Sequence, residues 1–82
     1  MIFMENRNQF DIIADILQSA KEGASKRKII ISASLNYQQF DEYIKYIKER
    51  ELLEEKEGTY KVKDKGFKFL RAHRNLKGTM KA

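Results

Sequence analysis

From Phe10 onward the apolar residues recur three and four positions apart: Phe10, Ile13, Leu17 and Ala20, with Ala14 beside them. That period is helical. Asn8 or Asn6 can open the helix and Gly23 can stop it. Ile12 and Ile16 add a second stripe, so the helix is expected to be covered on two sides. The pattern then breaks and restarts in "KRKIIISAS", which Ser25 can cap. The three isoleucines at 29–31 suit a strand by propensity alone. Ile29, Ala33 and the flanking basic residues fit a two-turn helix ending near Ser34, and that is the reading taken.

Asn36 precedes the clearest amphipathic run. Asn at the N-cap with Gln39 three residues into the helix makes a capping box, each side chain bonding a backbone N–H that the helix leaves unpaired. Phe40, Tyr43, Ile44 and Ile47 form one apolar face, opposite Gln38, Glu42, Lys45 and Glu49, and the helix should reach about Arg50. In "LLEEKEGTYKVK" the period changes. Two short alternating segments flank Glu57-Gly58, a hairpin turn signal, with Leu53 and Tyr60 or Val62 on the buried side. Asp64 then precedes a last helix from about Lys65 to Leu76.

Two helices joined by a tight turn and followed by a two-stranded ribbon make a winged helix-turn-helix. The expected class is therefore mostly α with a small β-hairpin wing (α+β). A single domain is expected over 1–82: about 8–63 winged helix, 64–77 C-terminal helix, and 78–82 a frayed tail. The helix from Asn36 to Arg50 would be the recognition helix.

Length and composition narrow the function classes. A chain of 82 residues buries only about 60–65% of its unfolded surface, so a partner or a second copy would help it. No 18-residue apolar run is present, and a membrane span is not expected. "MIFMENRNQF" lacks the basic and long apolar regions of a signal peptide, which makes the cytoplasm the expected location. Without cysteine there are no disulfides or thiolate metal sites. His73 is the sole histidine and the glycines are scattered, so neither a metal, a cofactor nor an enzyme activity is expected.

The net charge of +5 is uneven: residues 24–36 are basic through Lys26, Arg27 and Lys28, and residues 65–82 hold six cations and no carboxylate. Such an imbalance favours polyanions.

The basic "KRKI" opening the second helix, "ASLNYQQFDEYIKYI", the "LLEE" entry to the hairpin, "YKVKDKG" and "FL" at 69–70 appear in this order over roughly Asp11 to Leu76. In that order and spacing the chain resembles the archaeal winged helix-turn-helix DNA-binding regulators. The resemblance implies duplex DNA as partner and a homodimer formed through the helix after the wing. It also shows departures: Glu51 stands where glycine is usual after the recognition helix, Lys63 where threonine is usual, and Arg27 where threonine is common.

In a helix-turn-helix the first turn of the recognition helix faces base edges, and glutamine can bond adenine N6 and N7 together. Tyr37, Gln38 and Gln39 are thus the expected DNA-reading residues, with Lys45 on the same face. Lys26, Arg27 and Lys28 at the start of the second helix, and Lys61 and Lys63 on the wing, are expected at phosphates. Phe69, Leu70, His73 and Leu76 fall along one side of the last helix and form the expected dimer seam, with Phe67 turned towards its own domain.

The expected function is sequence-specific binding of double-stranded DNA, as a transcriptional regulator. Glu54, Glu55 and Glu57 make the wing acidic, which keeps a protein-docking winged helix as the alternative, beside sequence-neutral, chromatin-like DNA binding.

Overall fold

The structure, a computed structural model, describes residues 7–81, and the side chains of residues 7–76. The elements run α1 (Gln9–Ser19), β1 (Ala24–Ser25), α2 (Lys26–Ser32), α3 (Tyr37–Glu49), β2 (Leu53–Lys56), β3 (Thr59–Val62) and α4 (Asp64–Lys81). The run of isoleucines is helical, as its context required. Of the three, Ile29 and Ile30 are buried and Ile31 is exposed. α4 continues to Lys81, so most of the segment expected as a frayed tail is helix.

Each of the first three helices begins on a side-chain cap. Asn8 accepts from the Asp11 amide and Asp11 from the Asn8 amide, while Ser25 accepts from the Lys28 amide. The Asn36–Gln39 box is present in both directions, at 2.7 and 3.0 Å.

α2 and α3 end alike. Leu35 N–H donates to Ile30 C=O and Ser34 N–H to Ile31 C=O; Leu52 N–H donates to Ile47 C=O and Glu51 N–H to Lys48 C=O. This is the paired arrangement that closes a helix on a left-handed residue. Here the left-handed residues are Ser34 (φ 57°) and Glu51 (φ 61°). Glu51 therefore adopts the conformation usual for glycine at this place, and the helix end keeps its geometry.

The hairpin turns at Glu57 (φ 53°) and Gly58 (φ 81°), two positive-φ positions that match the right-handed twist of paired strands. Its two strands register Leu53 with Val62 and Lys56 with Thr59. The expected ribbon is in fact a three-stranded antiparallel sheet in the order β1-β3-β2, because Ala24 and Ser25 pair with Tyr60 and Thr59. A two-residue strand has no alternation for sequence to show.

Phe40, Ile16, Leu17, Ile29, Ile47 and Leu53 are the largest fully buried side chains, and they bring α1, α2, α3 and β2 to one core. Phe40 meets Tyr60 edge to face at 5.7 Å, which ties α3 to the sheet. Burial and the nearby Glu55 carboxylate hold the Tyr60 hydroxyl above its ordinary titration range. Phe10, expected on the inner stripe of α1, is exposed instead and stands on the rim of a groove with Ile13, Tyr43 and Tyr46.

α4 docks on α1 and β3. A Cβ at Gly66 would collide with the Leu52 carbonyl oxygen and the Val62 side chain, so the helix approaches the base of the hairpin at a distance only glycine permits. Farther along, His73 Nε2 lies 2.7 Å from Asp11 Oδ1, and the Phe69 and His73 rings stack at 6.2 Å. Phe69 and Leu70 pack against the core.

Candidate nucleic-acid interface

The first turn of α3 is presented on the surface. Its cap fixes where the backbone starts, and Tyr37 and Gln38 immediately follow, both exposed. The Gln38 side chain makes no hydrogen bond among the described residues, so its carboxamide is open to a ligand. Gln39 is different. Its Oε1 accepts from the Asn36 amide and it is half-buried, so the cap engages the acceptor that bidentate adenine reading would use. Lys45 is exposed, a little under two turns beyond Gln38.

The three cations that open α2 do not act as one group. The Lys26 ammonium sits 5.5 Å from the Tyr37 ring centre and 5.4 Å from that of Phe40, and 3.5 Å from Asp41 Oδ1. Such an ammonium is partly neutralised and held over the start of α3. Arg27 and Lys28 remain exposed, beside Ile31 in a shallow hollow with Ser25 and Ser32. On the wing, Lys61 is exposed and Lys63 half-buried at the junction with α4. Part of the wing's acidity is answered within the fold: Lys48 Nζ lies 3.1 Å from Glu55 Oε1.

Much of the expected dimer seam is engaged within the chain. Phe69, Leu70 and His73 face their own domain, because α1 supplies the apolar cover and Asp11 the hydrogen-bond partner. Phe67, expected inward, is exposed, as is Leu76. Nine residues apart, these two lie on opposite sides of the helix. No single exposed apolar stripe remains among the described side chains of α4.

Two contributors were not read from the sequence. Arg7 donates to Asp15 Oδ2 at 2.9 Å and to the Ala33 and Ser34 carbonyls at 2.6 and 3.2 Å, so a cation from before α1 closes the end of α2. No local spacing announces that contact. Arg50 lies 4.4 Å from the Tyr46 ring centre; the four-residue interval between them was the available signal.

The family model described as winged helix-turn-helix matches residues 6–81. The chain belongs to that winged helix-turn-helix family. Its fold is also that of Sso10a-2, a DNA-binding protein from Sulfolobus solfataricus. The crystal structure of that protein superposes with a TM-score of 0.71 at 19% identity, covering 92% of this chain and 90% of that one. No curated protein gives a significant match. In this winged helix-turn-helix chain, then, α2 and α3 are the helix-turn-helix, α3 occupies the recognition position and β2–β3 is the wing. No helix among the described residues is long and apolar enough to cross a membrane.

Proposed function

We propose that the protein binds double-stranded DNA sequence-specifically as a transcriptional regulator. α3 enters the major groove from its capped end. Gln38 reads a base edge, Tyr37 and Lys45 flank it, and Arg27, Lys28, Lys61 and Lys63 anchor phosphates. The observation that carries this reading is the exposed Gln38 side chain, without a hydrogen bond among the described residues, one residue beyond Tyr37 at a capped helix start. Lys26 acts by steadying Tyr37, and Gln39 by holding the cap. The exposed Glu54 and Glu57 favour the rival, a wing that docks a protein. Pairing of two copies through α4 would use Leu76, the one member of the expected seam that is exposed.

Selection of binding sites from random duplexes tests the proposal. A recovered consensus, bound with an affinity that falls steeply with salt, is the expected outcome. No binding to any duplex at low salt would leave the protein-docking wing. Binding without a consensus would leave the sequence-neutral mode.

A further inference from the structure

Residues 1–63 contain as many carboxylates as cations, so the whole net charge of +5 belongs to residues 64–82. The helix-turn-helix and wing are electrically balanced, and α4 is not. We propose that the outward face of α4 is a second duplex-DNA surface, which holds phosphates with Lys68 and Arg71 at its centre and Lys65 and Arg74 on its two flanks. This rests on the reading that the protein binds duplex DNA.

The four residues recur every third position and all are exposed. Each step of three residues turns about 60° around the helix, so Lys68 and Arg71 point away from the core while Lys65 and Arg74 stand on opposite flanks, with neighbouring Cβ atoms about 5–6 Å apart. Lysine and arginine stems are long enough for the flanking cations to reach towards a duplex laid on the outward side. Lys68, Arg71 and Arg74 have no ion-pair partner among the described residues. Lys65 has only Glu51, at 4.0 Å, both side chains well exposed. After Asp64 no carboxylate occurs on the helix to repel a phosphate.

The other side of α4 explains why this row is presented as a fixed surface. Gly66 sits against the Leu52 carbonyl, Phe69 and Leu70 pack on the core, and His73 meets Asp11. A row of like charges repels itself unless something neutralises it. Charge complementarity thus selects a regular polyanion as the occupant.

Titration of full-length protein with a selected and a random duplex, over a range of salt, tests the assignment. For Lys68→Gln/Arg71→Gln/Arg74→Gln, the log–log salt slope should flatten by about 2–3, close to one for each phosphate that is no longer neutralised. Affinity should fall about tenfold or more on both duplexes, leaving their ratio unchanged. Lys21→Gln/Lys48→Gln removes charge elsewhere and should leave the slope near that of the wild type. Thermal melting confirms that both variants are folded. An unchanged slope in the α4 variant overturns the proposal, and if binding to phosphatidylserine vesicles is lost instead, the face belongs to a lipid surface. Equal flattening in the control also overturns it, since bulk charge would then suffice. Wild type that binds no duplex fails earlier, and removes the DNA reading and this surface together.

Discussion

α3 and α4 both show solvent a charged helical face, yet the two faces are built on different rules. On α3 and its C-cap, Asp41, Glu42 and Glu49 stand among Lys45, Lys48 and Arg50, and the carboxylates balance the cations. On α4, cations follow one another every third residue. A face of mixed sign repels a polyanion in every position but those where its donors and acceptors are matched. A face of one sign attracts it in all of them. The comparison teaches that discrimination and affinity need not share a surface in a chain this small.

The first way to break the contrast is to detach α4. Gly66→Ala places a methyl group on the Leu52 carbonyl oxygen and Val62. The variant should lose about 3 kcal/mol of stability, as overpacking at backbone does, and melt about 15 °C lower. A variant that melts with the wild type would mean that α4 is not held at this end.

Next comes the reading face. Gln38→Ala should cost about 1–3 kcal/mol on a selected duplex and much less on random DNA, with no change in melting because the side chain is exposed. Equal losses on both duplexes would make Gln38 a positioning group and blur the distinction between the helices.

Asp11→Ala tests the seam that holds the α4 row in place. Asp11 is both the third residue of the α1 cap and the partner of His73, so its loss should destabilise by about 1–2 kcal/mol. Discrimination between selected and random duplexes should survive in the fraction that is folded. A shift in that ratio, measured by competition binding, would show that α1 and α4 communicate with α3.

Much of this architecture is legible in the sequence, and the exceptions share a cause. Caps and turns depend on residues three or fewer positions apart, so the Asn36–Gln39 box, the Ser25 cap and the Glu57-Gly58 turn can be read directly. The apolar period of α4 is equally visible, but a period tells which residues share a side and not what covers them. Phe69, Leu70 and His73 were therefore assignable to a partner or to α1 alike, and only tertiary contact decides. The same limit hid Lys26 among three adjacent cations. Its neighbours on α3 are Tyr37, Phe40 and Asp41, and its separation from Arg27 and Lys28 in role arises there.

The smallest effect concerns the end of α3. Glu51 holds a left-handed backbone that favours glycine, so Glu51→Gly should raise stability by about 0.5 kcal/mol, the relief of strain exceeding the added freedom of the unfolded chain. Denaturant titration would show a higher midpoint with unchanged slope. Binding to DNA should not respond, because the residue lies beyond the reading turn. A loss of stability would indicate that the Lys65 contact with Glu51 outweighs the strain, and so that α3 and α4 are coupled through that pair.

The hydrogen bond between Asp11 and His73 also has a kinetic meaning. It joins the first helix to the last, and closing so long a loop is slow compared with forming the turns between neighbouring helices. During synthesis α1, α2 and α3 emerge well before the segment that completes α1's cover. Until His73 and its neighbours are in place, the side of α1 that carries Asp11 lacks that partner.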